Sequence, residues 1–231
     1  MPRAKQRTPA LRDRVLQAAV AKLADEGVAR FTTRGVAQAA ATSIPAVYEL
    51  FGDRAGLVRE MFFEGFRLLR RRFDPIESSA DPLDDLLRVM TTFRSFVREN
   101  PEVAELMFSR PFADFDPGPA ELSAGSAVRE LIVAHVRRAI EAGRLAGDAT
   151  DIAHVLVALA QGLSAQEAAG WLGTSKASIE RRWTLAFTAM LEGLAGATST
   201  ERRASLESTR AAGRALQARR QTSAKGPTRS A

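Results

Sequence analysis

Cysteine is absent from the 231 residues, and histidine occurs only twice. No disulfide framework, thiolate metal site or cysteine nucleophile can be built, and the composition suits a reducing compartment. His135 and His154 have no His-x3-His spacing and no Glu-rich neighbour, so neither a metal nor a cofactor is expected. Long apolar runs are missing too: nothing approaches the ~20 residues that cross a bilayer. The basic N-terminus MPRAKQRTPALRDRV is not followed by the apolar stretch of a secretory signal. The expectation is a soluble, cytoplasmic protein without a membrane partner. No segment alternates with period two for long, which leaves strands at most incidental. The nucleophile elbow G-x-S-x-G, the phosphate-binding Gly-rich loop and G-x-G-x-x-G are all lacking, so an enzyme is not expected and no catalytic residue is named.

What the chain has in excess is positive charge, unevenly placed. Residues 1–73 hold 14 Lys/Arg against 7 Asp/Glu, residues 74–196 hold 11 against 18, and residues 197–231 hold 8 against 2. Basic charge supplies most sequence-independent affinity for nucleic acid through counterion release, so the N-terminal third is the natural DNA-facing part. The tail after Gly196 has few large apolar residues and is expected to be disordered or transiently helical.

Spacing predicts helices nearly throughout. Leu11, Val15, Ala18, Ala19 and Leu23 form one apolar stripe over residues 10–26, which Gly27 ends. Thr32 or Thr33 can cap a short helix reaching Ala40. Ser43 caps another to Leu50, with Pro45 in its first turn, where a missing N–H costs nothing. Gly52 stops that one and Asp53 can cap a long helix carrying Leu57 through Phe73. Further helices are predicted over 81–100, around 103–108, and near 121–143, 149–172 and 175–195, with the loop SRPFADFDPGPAE between them. The fold class is all-α.

Two stretches share the rhythm of helix, tight turn and helix: TTRGVAQAAATSIPAVYELF from Thr32 to Phe51, and SAQEAAGWLGTSKASIERRW from Ser164 to Trp183. A DNA-binding helix-turn-helix places its second helix in the major groove and leans on a third helix. Residues 10–26 provide that third helix for the first stretch: Val36, Ala37, Ala40, Val47 and Phe51 can pack on Leu16, Ala19, Val20 and Leu23. The arm Arg3, Lys5, Arg7 and Arg12 lies just ahead, available for phosphates.

The segment FTTRGVAQAAATSIPAVYELFGDRAGLVREMF resembles the N-terminal domain of the tetracycline-repressor (TetR) family of transcriptional regulators. Thr32, Arg34, Val36, Ala37, Ala40, Ser43, Val47, Tyr48, Phe51 and Leu57 sit at matching places of the pattern T-x-R-x-[IV]-A-x-x-A-G-V-S-x-x-x-[LV]-Y-x-[HY]-F-x-x-K-x-x-L. Ala41 replaces the turn Gly, Thr42 replaces Val, Leu50 replaces His or Tyr, and Arg54 replaces Lys. The resemblance implies a helix-turn-helix domain over 9–69 and a helical effector-binding and dimerisation domain over 74–196, with the basic tail at 197–231. It implies DNA contacts from Thr32, Thr33, Arg34, Ser43, Ile44, Pro45, Ala46, Tyr48 and Arg54. Ile44, Pro45 and Ala46 cannot make bidentate bonds to base edges and would sense thymine methyl groups and groove shape, whereas Arg34 is the candidate for guanine.

The second stretch lies between IAHVLVALAQGL and TLAFTAMLEGL, both strongly apolar. In this family the last two long helices pack against their copies in a second subunit. Ala158, Gly162, Ala165 and Ala169 are expected as a small-residue interface face, with Trp183, Phe187, Met190, Leu191 and Leu194 as the large one. An effector pocket is expected among Phe62, Phe66, Met90, Phe93, Phe96, Met107, Phe108, His135 and Gln161, apolar and with few fixed charges. The function expected is a homodimeric repressor that binds a palindromic double-stranded DNA operator and is released by a small apolar effector. Two alternatives stay open: DNA contact through the second stretch or the basic tail, and an all-α enzyme with an unrecognised site.

Overall fold

The computed structural model describes residues 8–109, 112, 118, 119, 123 and 125–195. The arm residues Arg3, Lys5 and Arg7, the tail 197–231 and most of the SRPFADFDPGPAE loop lie outside these. Helix α1 spans Pro9–Glu26, capped by the Thr8 hydroxyl, which accepts from the Leu11 N–H at 3.2 Å, and it ends where Gly27 takes φ 71°. A single 3-10 turn over Val28–Arg30 leads to α2, Thr33–Ala39. Helix α3 spans Ile44–Phe51 and α4 spans Arg54–Phe73. Thr32, Ser43 and Asp53 cap these three helices, accepting from Gly35 N at 3.1 Å, Ala46 N at 3.3 Å and Gly56 N at 2.7 Å. Of the two threonines predicted as possible caps, Thr32 makes the bond and Thr33 is buried.

The α2–α3 turn is built against a conformational cost. Thr42 N–H bonds to Ala37 O at 2.9 Å and Ala41 N–H to Gln38 O at 3.1 Å, the paired bonds that close a helix with a left-handed residue. That residue is Ala41, the one non-glycine with positive φ, 48°, among the described residues. A left-handed Cβ lies too near the following carbonyl and costs roughly 1–2 kcal/mol. Ala41→Gly is therefore expected to stabilise the protein by about 1 kcal/mol, after allowing for the greater freedom of glycine in the unfolded chain. Thermal unfolding should show a rise of ~2–4 °C in Tm. A lowered Tm would mean that the turn is not strained. On the other side, Arg14 of α1 donates from Nε to the Ala40 carbonyl at 3.0 Å, fastening the turn to the third helix.

Helices α5 (Pro82–Glu99), α6 (Pro101–Ser109), α7 (Ser126–Glu141), α8 (Ala149–Ala168) and α9 (Lys176–Ala195) complete the described fold. Two apolar cores form. The smaller holds Leu11, Val15, Ala19, Val36, Val47 and Phe51 with Leu57 and Met61; the larger holds Leu69, Phe73, Phe93, Ile132, Leu156 and Phe187. Helix α4 therefore runs through both, its first half in the head and its second half in the larger body. Helix α6 joins them within one step of sequence, because Leu106 is buried in the smaller core and Met107 in the larger. Gly65 permits the close approach of α4 to α6: a Cβ there would lie 2.6 Å from Met107 Sδ.

Ionic clasps tie the larger body together. Arg94 of α5 makes a two-pronged pair with Glu167 of α8, Nε–Oε2 at 2.8 Å and Nη2–Oε1 at 3.0 Å, and reaches Glu180 of α9 at 2.8 Å. Its guanidinium lies 4.7 Å from the Trp183 ring centre, and Trp183 Nε1–H donates to Glu167 Oε2 at 2.8 Å. Buried Asp85 plays the same part elsewhere, accepting from Ser79 N, Arg88 and Arg138.

The second helix-turn-helix-like stretch belongs to this body. It is the end of a 20-residue helix, a seven-residue connection over 169–175 and the start of another 20-residue helix, against a four-residue connection over 40–43 in the head. Helix α8 stops before the predicted limit of 172, closed by Gly170 at φ 74°. Arg182 is committed to the bend: its Nη1 donates to the Leu172 carbonyl at 2.6 Å.

Candidate functional site

Helix α3 has one face turned inward and one outward. Val47 is fully buried and Phe51 nearly so, whereas Ser43, Pro45 and Tyr48 are exposed and Ile44 and Ala46 half-buried. Tyr48 keeps 41% of its surface open although aromatic side chains carry large apolar area. Arg34, in the first turn of α2, is also exposed, as is Thr32. Of the sequence-expected DNA contacts, Thr32, Arg34, Ser43, Pro45 and Tyr48 are exposed.

Two expectations need correction. Thr33 is 7% exposed and turned into the head, so its side chain does not present a hydroxyl to phosphate. Arg12, expected as part of a free basic arm, pairs with Glu60 at 2.9 Å and lies 5.0 Å from the centre of the Phe51 ring. Arg54, at the start of α4, is half-buried with its guanidinium 4.9 Å from the Phe112 ring centre. Phe112 itself packs in the head against Phe31, edge-on at 5.6 Å, and not with the middle-helix aromatics. Leu50, where the pattern has His or Tyr, is half-buried against the head core.

In the larger body an aromatic chain lines a cavity of about 210 Å³. Phe62 and Phe66 lie 5.1 Å apart, Phe66 and Phe108 6.2 Å, and Phe108 and Phe93 5.7 Å between ring centres. Met107 and Gln161 complete the sequence-expected lining that the structure gathers there. Met90 and Phe96 are instead fully packed in the core. His135 is corrected as well: it is buried in the field of Asp85, Arg138 and Arg88, and is no part of the cavity wall. Burial lowers its pKa first, Arg138 and Arg88 add to this, and Asp85 opposes them, so the imidazole is held neutral.

The second histidine stands in its place. His154 lines the cavity, with Nδ1 bonded to the Thr150 carbonyl at 2.8 Å; since a carbonyl only accepts, Nδ1 carries the proton. Arg129 also lines it, as do Leu69, Ile132 and Val157. Sequence reading passed over Arg129 because a single arginine beside the apolar pair Val128 and Ile132 looks like any solvated edge of a helix stripe. Among the described residues no group of three or more acidic residues and histidines is placed to hold a metal. No described helix is long and apolar enough to cross a membrane.

The expected interface residues divide. Ala158, Gly162 and Ala165 are exposed along α8 and Ala169 just beyond its end, in line with Val155, which is 55% exposed. Trp183, Phe187 and Leu191 are about 5% exposed at most and sit in the subunit's own core; Met190 and Leu194 are half-buried against it. A helix on the outside of a bundle buries its largest apolar stripe against its own chain, where the tether makes association intramolecular. The outward face of α9 is the one sequence reading left out: Leu185, 68% exposed, with Ala189 and Gly193 at successive four-residue steps.

Residues 15–61 match the family model of bacterial regulatory proteins, tetR family. Residues 86–190 match that of the tetracyclin repressor-like, C-terminal domain. Among solved structures, a protein with unknown function from Rhodococcus sp. RHA1 is 28% identical, with 82% of this chain and 98% of that chain covered and a TM-score of 0.70. A bacterial regulatory protein in the tetR family from Rhodococcus RHA1 is 17% identical, covering 78% and 97%, with a TM-score of 0.59. The TetR family transcriptional regulator PfmR from Thermus thermophilus is 20% identical, covering 76% and 98%, with a TM-score of 0.57. Comparison with curated proteins finds no match. With one family model on the helix-turn-helix head and the other on the helical body, the chain belongs to the tetracycline-repressor family of DNA-binding transcriptional regulators.

Proposed function

We propose that the protein is a homodimeric repressor that holds a palindromic operator with two copies of α3 and releases it when a small molecule enters the 210 Å³ cavity. The observation that carries this reading is the position of α6. Leu106 packs in the head core while Met107 and Phe108 form the cavity wall, so one helix packs against both the head and the cavity. A ligand that prefers the setting of α6 in which the head no longer fits the operator weakens operator binding by the same factor by which the operator weakens ligand binding. The exposed face of α8 and α9, with Val155, Ala158, Gly162, Ala165, Ala169 and Leu185, is where the second copy would dock. The small residues let two helices approach closely. On this reading the protein binds and does not catalyse, and it works in the cytoplasm beside its operator.

Arg34→Ala and Tyr48→Ala test the reading head. Each side chain is exposed, so neither change should alter thermal unfolding measurably. Each should lose ~1–3 kcal/mol of operator affinity. Anisotropy titration on an operator selected from random duplexes measures this at fixed salt. Unchanged affinity in both variants would remove α2 and α3 as the DNA-reading element.

A further inference from the structure

We propose that the cavity of the larger body takes a compact apolar monocarboxylate, its ring or alkyl chain among Phe66, Phe93 and Ile132 and its carboxylate on Arg129. This rests on the reading of that cavity as the effector site and specifies the class of effector. Arg129 is half-buried and is the one charged side chain on the cavity wall among the described residues. Other arginines of the body are paired: Arg67 and Arg71 with Glu64 at 2.6 and 2.8 Å, Arg70 with Asp74 at 2.7 Å, and Arg94 with Glu167. Arg129 has no carboxylate partner among the described residues.

A half-buried guanidinium beside a largely apolar cavity gains from an anion that meets it. The other polar groups on the wall are the His154 imidazole and the Gln161 amide. With its Nδ1–H given to Thr150, His154 offers only Nε2 to the cavity, and Gln161 carries no charge. Neither supplies the missing opposite charge. A neutral ligand would displace water from Arg129 and return nothing, and a cation would be repelled. A carboxylate matches the planar fork of the guanidinium with two parallel bonds.

The surroundings agree in sign. Phe66 and Val128 are shared between the cavity and an adjoining groove lined by Arg67, Arg70 and Arg71. Across cavity and groove, four guanidiniums face only Glu64 and Asp74. The excess positive charge at the approach raises the local concentration of small anions. About 210 Å³ is somewhat more than the ~150 Å³ of an apolar cavity known to accept benzene, and a larger cavity of about 590 Å³ shares Phe93, Phe108 and Gln161 with it. One ring with a short side chain, or an alkyl chain of medium length, fits.

The full chain, titrated calorimetrically without DNA, should bind octanoate and 3-phenylpropanoate roughly tenfold or more tightly than 1-octanol, and octylamine more weakly still. Arg129→Gln should remove that preference and Arg129→Lys should restore part of it, with unliganded helical circular dichroism unchanged in both. Equal binding of octanoate and 1-octanol would overturn the proposal. So would full octanoate affinity in Arg129→Gln, or no binding of either acid. Because these titrations contain no DNA, they separate the ligand class from the regulatory reading. Octanoate that binds through Arg129 yet leaves operator affinity unchanged would sustain the carboxylate site and remove the release mechanism.

Discussion

Leu185→Glu is expected to give a folded monomer that binds its operator a hundredfold or more weaker than the parent protein. The side chain is 68% exposed in the single chain, so a charge there costs the subunit little. In the proposed dimer it would bury an unpaired carboxylate against the partner's small-residue face, a cost that a marginal interface does not withstand. One reading head then acts alone, and the ~10²–10⁴ gain from joining two heads on successive turns of DNA is lost. Sedimentation and operator titration on the same sample make the measurement. A Leu185→Glu protein that remains dimeric with full affinity would place the interface elsewhere. Phe187→Ala is not an equivalent test: Phe187 is 4% exposed and stacked on Trp183 at 5.7 Å, so its loss would cost the subunit itself ~3–5 kcal/mol, whatever the oligomeric state.

Asp85→Ala should destabilise the larger body by about 3 kcal/mol, lowering Tm by roughly 6–12 °C. Asp85 is completely buried and accepts from the Ser79 N–H at 2.9 Å and from Arg138 at 2.6 Å, with Arg88 as a further partner. The connection between α4 and α5 is thereby tied to α5 and α7. The cost falls at the lower end of the range for breaking a buried ionic cluster, because Arg88 and Arg138 are 42% and 35% exposed and can turn to water. Burial by itself would raise the Asp85 pKa, but donation from Ser79, Arg138 and Arg88 outweighs it and holds the carboxyl well below the usual carboxylate range. A lowered folded pKa means that the unfolded state binds more protons in acid. The stabilisation is therefore complete above about pH 4 and is lost as pH falls through the lowered value. Chemical denaturation of the parent from pH 7 to 3 should show the beginning of this loss below about pH 4, and Asp85→Ala should show a shallower one. A change below about 1 kcal/mol at pH 7 would show that packing, not this cluster, holds the connection.

Much of the head was legible because its determinants are local. Gly27 and Gly52 end helices at left-handed positions, and Thr32, Ser43 and Asp53 cap the next ones, since each bond closes within three residues. The inward stripe of Val36, Ala37, Val47 and Phe51 follows from helical periodicity. The cavity was legible in part: periodicity marks Phe62, Phe66 and Phe93 as inward-facing, but cannot say whether an inward residue meets a neighbour or a gap. Met90 and Phe96 carry the same signal and meet neighbours. His135 and His154 differ only in which helix face the packing turns toward Asp85 and which toward the cavity.

What the sequence by itself determined is the succession of helices, their ends, the basic head and the family pattern that runs from Thr32 to Leu57. These depend on interactions of short sequence separation and on residue type, which a chain states directly. Only the tertiary structure decided which of the two helix-turn-helix-like stretches is a compact head. The rhythm is alike, but the first is backed by α1 through Arg14 and the Ala40 carbonyl, and the second is clamped into the body by Arg94 on Glu167 and Glu180. It also decided that Trp183, Phe187 and Leu191 face inward and Leu185 outward, and that Arg129 has an apolar cavity before it and no carboxylate partner among the described residues. The ion pairs of Arg94 join residues 73 and 86 positions apart in the chain. No periodicity records such a distance; it is settled when the helices pack and each charge must find a partner or a cavity.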